Sequence, residues 1–206
     1  MAVVSLASRR KPNPRRRSAE IIDAAARVFA ERGFHGASTQ DIADVLGIRQ
    51  ASLYYYFSSK EQALELVCLK GVDGFVEAAA AIAATSATPP EKLRRLITSH
   101  LTPLLDRADY VRVFLNERQH LPHDSRRRIG RQSRALERIF EGVLKEGVAS
   151  GDFRADLDVR LSALAVLGMC NAAPAWYGKE ANASIERIVD GFARLAIEGA
   201  RPRGRR

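Results

Sequence analysis

Apolar residues recur along this chain at spacings of three and four, and no sustained two-residue alternation of β-branched side chains interrupts them. Such a period predicts helices throughout and no sheet. The first helix is expected to be capped by Ser18, to carry Ile21, Ile22, Ala25, Val28 and Phe29 on one face, and to end at Gly33. Two short helices follow within residues 38–57, and a long one runs from Ser59 to about Ala84, where Thr85 to Pro90 break it. The next spans about Pro90 to Arg107, with Leu93, Leu96, Ile97, Leu101 and Leu104 on its apolar face and Pro103 bending it. A helix over about Tyr110 to His120 is stopped by Leu121-Pro122-His123-Asp124, which opens another to about Ala149. Gly151-Asp152-Phe153 turns the chain, Asp156 or Asp158 caps a helix to Tyr177, and Ser184 caps the last, to Gly199.

The pair within residues 38–57 has the requirements of a helix-turn-helix. Ser38 or Thr39 can cap its first helix, and Asp41 puts a negative charge in the first turn. Ala43 is small where the second helix must come close, and Gly47 stands at the corner, where a left-handed backbone costs least without a Cβ. Ile42, Leu46, Ile48 and Leu53 are spaced to lock the two helices together. The second helix, about Gln50 to Phe57, buries Leu53 and Phe57 and presents polar and aromatic side chains, as an element lying in a DNA major groove would. Capping-box patterns, Ser58 with Glu61 or Ser59 with Gln62, open the helix beyond.

With its flanks, this unit resembles the tetracycline-repressor (TetR) family of one-component transcriptional regulators. The resemblance rests on Ala24-Ala25, Phe29 to Phe34, Thr39, Asp41 to Ala43, Leu46 to Ile48, Ser52 to Phe57 and Ser59 to Leu64. It implies an all-α fold: an N-terminal three-helix helix-turn-helix head joined to a larger helical domain for effector binding and dimerisation. The divisions expected are a disordered basic arm at 1–17, the head at 18–64, the effector and dimerisation domain at 65–200 and a basic tail at 201–206. It also implies a homodimer formed through the last two helices, reading a near-palindromic double-stranded operator. Ala163, Ala165, Gly168, Ala172 and Ala173 on one, with Ile185, Ile188, Val189, Phe192 and Leu195 on the other, suit such packing. For the head it implies phosphate contact by Thr39, with Gln50, Ala51, Ser52, Tyr54 and Tyr55 toward DNA and Tyr56 partly packed. Gln50 can address an adenine edge and Ala51 a thymine methyl, while Tyr54 and Tyr55 contact mostly phosphate and sugar. Lys60 is placed for a phosphate; Arg49 either does the same or is a solvated charge.

The chain has 206 residues and a net charge of +9, which suits a polyanionic partner, and the distribution sharpens this. Residues 1–60 carry ten Lys/Arg against five Asp/Glu, residues 199–206 four Arg and no acid, and the stretch between is neutral. The arm, with Arg9, Arg10, Lys11, Arg15, Arg16 and Arg17, either tracks DNA or keeps the chain soluble. Cys68 and Cys170 stand alone, so two inert thiols in a reducing cytoplasm are expected, with no metal and no cofactor. Neither a signal peptide nor a membrane span is legible. No Gly-x-Ser-x-Gly, His-Glu-x-x-His or Walker loop is present, and Ser99 beside His100 would diverge from it on a helix, so no enzyme is expected.

The neutral body resembles, more loosely, the ligand domains of TetR regulators of lipid and steroid catabolism, several of which bind acyl-CoA thioesters. The matching stretches are Leu115 to Pro122, Glu146 to Arg154, and Leu167 to Asn171 followed by Trp176-Tyr177. Where CoA-gripping members carry arginine around the Trp-Tyr pair, this chain has Ala175 and Gly178. The expected effector is small and hydrophobic, an acyl-CoA or instead a lipophilic drug relieving efflux repression. An architectural DNA-binding protein without effector is the remaining reading. Pocket candidates are Phe75, His100, Leu104, Phe114, Asn171, Trp176 and Tyr177, with core filling the plainer role of the aromatic ones. Among Arg126, Arg127, Arg128, Arg131, Arg134 and Arg138, the set 127, 131, 134 and 138 shares a helix face that either receives nucleotide phosphates or is solvated.

Overall fold

The computed structural model describes residues 14–202, so the arm at 1–13 and the tail at 203–206 lie outside the described residues. Nine α-helices and three 3-10 turns make up the described chain, with no strand among them. The first helix, α1 (Pro14–Gly36), begins four residues before the expected cap. Proline is tolerated in a first turn, and Arg16 and Arg17 pair with Glu20 at 3.1 and 3.0 Å, so 14–17 are helical rather than part of a disordered arm. Gly33, at φ 67° and ψ 169°, interrupts α1 where its end was expected, and one further turn reaches Gly36.

The head continues with α2 (Thr39–Leu46), a 3-10 helix (Gln50–Tyr55) and α3 (Lys60–Val72). The long helix expected from Ser59 to Ala84 is in fact two, α3 and α4 (Phe75–Ala83). Between them Asp73 is extended and Gly74 takes φ +79°, a left-handed turn that the apolar periodicity across it does not reveal. After α5 (Pro89–Leu101), Pro103 converts the helix to a 3-10 turn (Thr102–Leu104). The remaining elements are α6 (Ala108–Glu117) with its 3-10 extension (Arg118–His120), α7 (His123–Ser150), α8 (Val159–Trp176), capped by Asp158, and α9 (Ile185–Ala200), capped by Ser184.

Two apolar cores result. One joins α1, α2 and α3 but also takes Tyr110 and Val113 of α6, with Leu121 and Ile129. The other fills the space among α4, α5, α7, α8 and α9. The head is therefore not closed at residue 64: α6 is shared, and it fixes the head to the body.

Candidate DNA interface and effector cavity

The corner of the helix-turn-helix is built by local hydrogen bonding. Ser38 Oγ accepts from the Asp41 amide at 3.2 Å while an Asp41 carboxylate oxygen accepts from the Ser38 amide at 2.8 Å, a reciprocal capping box. Hydrogen bonds from Ser38, with the nearby Arg32 guanidinium, hold the Asp41 carboxyl below the usual carboxylate range. At the other end Gly47 takes φ 61°; its amide donates to Asp44 O and that of Ile48 to Ala43 O, each at 3.1 Å. That is the Schellman pattern, and it turns the chain sharply into the reading element.

The reading element is 3-10 rather than α over Gln50–Tyr55, with the Ser52 amide donating to Arg49 O at 2.9 Å. A segment this short gains few i to i−4 bonds, so tightening costs it little. Leu53 and Phe57 are buried as expected, which turns Tyr54 and Tyr55 outward, 53% and 90% exposed. Arg49 and Ala51 are exposed; Thr39, Gln50, Ser52 and Tyr56 are half-buried. Gln50 Nε2 donates to Thr39 Oγ1 at 2.6 Å, so two residues expected to touch DNA separately are joined across the corner. Lys60 is placed differently from the expectation. Its ammonium donates to Phe34 O at 2.8 Å and Ala37 O at 2.9 Å and lies 4.4 Å from the centre of the Phe34 ring. It closes the end of α1, with one of its three protons left over.

Head and body meet along α6. Near its start Tyr110 donates to Asp23 of α1, which also binds Lys70 at 3.0 Å. At its end Glu117 accepts from the Phe34 amide at 2.9 Å, and His120 stacks on the Phe34 ring, centroids 5.4 Å apart. Sequence reasoning missed these fasteners because the partners are about 80 residues apart.

The inner side of α6 borders a cavity of about 210 Å³. Apolar wall comes from Phe75, Val76, Val111, Phe114, Leu136 and Leu167, with Gly71 and Val72 at the end of α3; His100, Asn171, Arg118, Gln132, Ser133 and Glu137 supply polar groups. Of the expected pocket residues, Phe75, His100, Phe114 and Asn171 line it. Leu104, Trp176 and Tyr177 do not. Leu104 is buried in the body core, Trp176 packs edge-on against Phe192 at 6.3 Å, and Tyr177 caps α8 against the same core. Arg118 was missed, although it stands one turn beyond Phe114, with its guanidinium 4.8 Å from that ring's centre.

Next to the cavity lies a second hollow of about 270 Å³ bordered by Arg118, Arg126 and Arg134, and the two share Arg118, Ser133 and Glu137. Of the face expected at 127, 131, 134 and 138, all four arginines are exposed, which fits the solvated reading; Arg134 also borders this hollow, together with Arg126. Burial pushes the Cys68 and Cys170 thiols up to about 12, which leaves both unreactive. No described helix is long and apolar enough to cross a membrane.

Comparison with known proteins agrees with this geometry. Residues 21–67 match the family model described as bacterial regulatory proteins, tetR family, and residues 86–200 match the tetracyclin repressor-like C-terminal domain. The transcriptional repressor KstR2 of Rhodococcus jostii is 27% identical over 184 residues, covering 89% of this chain and 90% of the relative. The fatty acid metabolism regulator protein of Bacillus subtilis is 27% identical, covering 87% of this chain and 93% of its own. Among solved structures, AibR in complex with isovaleryl coenzyme A and operator DNA superposes with a TM-score of 0.79 at 26% identity, covering 87% of this chain and 97% of that one. With a helix-turn-helix corner in its head, a hollow helical body and both family models matched, this chain is no enzyme but a member of the TetR family of DNA-binding transcriptional regulators.

Proposed function

We propose that this protein is a homodimeric cytoplasmic repressor that holds a near-palindromic operator and is released from it by an acyl-CoA thioester. The observation that carries the effector reading is an apolar cavity lying beside an arginine-bordered hollow, with Arg118, Ser133 and Glu137 in the wall of both. An acyl group is lipophilic and its CoA carries phosphates, so one ligand matches both spaces, with Arg118, Arg126 and Arg134 on the phosphates. A neutral drug offers no anion to Arg118, Arg126 and Arg134. The AibR complex with isovaleryl coenzyme A and operator DNA, and the fatty acid role in the name of the Bacillus relative, favour the same class.

On DNA, Tyr54, Tyr55, Arg49 and Ala51 are the outward groups, with Thr39, Gln50 and Ser52 at the edge and Lys60 offering its remaining proton to a phosphate. Release needs only that the effector prefer a body shape in which α6 shifts, because Glu117 and Tyr110 carry that shift to the head. Reciprocity follows: operator must weaken effector binding by the same factor. The direct test is a labelled operator duplex titrated with acyl-CoA thioesters, free CoA and free fatty acids. Thioesters alone are expected to dissociate the complex, and Arg126→Ala with Arg134→Ala to raise the concentration they require. Release by free CoA, or by lipophilic drugs and not thioesters, rejects the effector assignment.

Dimerisation is assigned to α8 and α9, which leave Leu161 and Leu195 exposed at 63% and 65% beside small residues. A Leu161→Glu, Leu195→Glu double variant is expected to sediment as a folded monomer and to lose operator affinity by about 100-fold or more, since the two heads no longer act together. A wild-type monomer at micromolar concentration overturns the assignment.

A further inference from the structure

The cavity wall holds one polar pair with no part in the arginine hollow. His100 of α5 and Asn171 of α8 meet through His100 Nε2 and Asn171 Oδ1 at 3.0 Å, with the Phe75 ring centre 5.2 Å from that of the imidazole. His100 Nδ1 is out of solvent and has no partner. Two arrangements satisfy the pair. If Nε2 carries the proton, it donates to Oδ1 and the unpartnered Nδ1 presents only a lone pair. If the Asn171 amide is flipped to donate to Nε2, the proton moves to Nδ1 and becomes a buried N–H with no acceptor. Buried donors are left unpaired less often than acceptors, so the first arrangement is favoured. Burial also pushes the His100 imidazole below its ordinary range, which keeps it neutral and the pair in one protonation state.

Asn171 is an exposed residue on the cavity wall, and with its Oδ1 engaged by His100 its amide N–H group is left as the donor it can offer a ligand. We infer that Asn171, oriented by His100, is a specificity-determining residue that selects effectors whose acyl group carries an acceptor oxygen, a ketone or carboxylate, remote from the thioester. The inference rests on the cavity being the effector site. Asn171 makes the contact; His100 is a positioning residue that decides which end of the amide faces the ligand.

The test uses the full-length protein on its operator and a graded series of straight-chain acyl-CoA thioesters. Each is paired with counterparts bearing a ketone or a hydroxyl one carbon from the chain end, and the corresponding free acids are included. In the wild type the ketone compound is expected to release operator, and to bind in calorimetry, at about threefold to tenfold lower concentration than the unsubstituted one, the worth of one hydrogen bond. Asn171→Asp keeps the shape and the bond from His100 but turns an acceptor to the ligand. The hydroxyl compound, which can donate to the carboxylate, should then act at lower concentration than the ketone, which cannot. His100→Phe frees the amide to rotate, and the ketone-to-unsubstituted ratio should move toward one. Equal concentrations for ketone and unsubstituted partners, with thioesters still releasing operator, overturn this inference and leave the thioester reading standing. A ketone preference confined to free acids keeps this inference and overturns the thioester. No response to any compound overturns both.

Discussion

Replacing Lys60 by methionine is expected to lower both thermal stability and operator affinity, with the stability loss the larger surprise for a residue that sequence reasoning assigns to phosphate. Methionine keeps most of the apolar stem but no donor, so Phe34 O and Ala37 O lose the ammonium that closes the end of α1. Stranding part-buried carbonyls and losing the cation over Phe34 should cost about 1–3 kcal/mol. In a chain of this size each kcal/mol shifts the midpoint by roughly 2–4 °C. Calorimetric unfolding and operator titration decide the matter together. A residue that only contacts phosphate would leave the midpoint unmoved. Tyr55→Ala is the contrast: at 90% exposure it supports nothing in the fold, so it should weaken operator binding and reduce the salt slope by about one at constant midpoint.

Gly71→Val is expected to have the largest effect of any change near the cavity. A Cβ at this position would stand 2.9 Å from Tyr110 O and 3.4 Å from Phe114 Cβ, so α3 and α6 must separate to admit it. Overpacking of this kind costs about 1–3 kcal/mol and occasionally more. Because α6 also holds Asp23 and the Phe34 amide, the separation should displace the head, and operator affinity should fall at temperatures where the variant is still folded. Gly142→Ala on α7 is the control, since nothing lies within 4 Å of the added methyl. There the helix should gain about 0.5–1 kcal/mol from alanine. Equal midpoints for the two variants would show that α3 and α6 are not tightly packed.

Much of the head was legible in the sequence because its rules are local. Ser38 and Asp41 cap each other three residues apart, the Gly47 amide reaches back three residues to Asp44, and the burial of Leu53 and Phe57 follows from their spacing, so cap, corner and outward tyrosines could be read before any fold was seen. The helical class and most helix ends followed from periodicity and caps for the same reason. The break at Asp73-Gly74 was equally local, yet apolar spacing continues across it and hid the turn. What tertiary structure alone decided is which groups from distant segments meet. Lys60 also reaches the end of α1, because α3 packs beside it. Trp176 went to Phe192 and Leu104 to the core, while Arg118 and Arg126 reached the hollows, because small rotations of packed helices exchange wall for core. The grip of α6 on Asp23 and Phe34 and the pairing of His100 with Asn171 join residues 71 to 87 positions apart. Contacts of that kind depend on how whole helices stack, and no spacing along the chain encodes them.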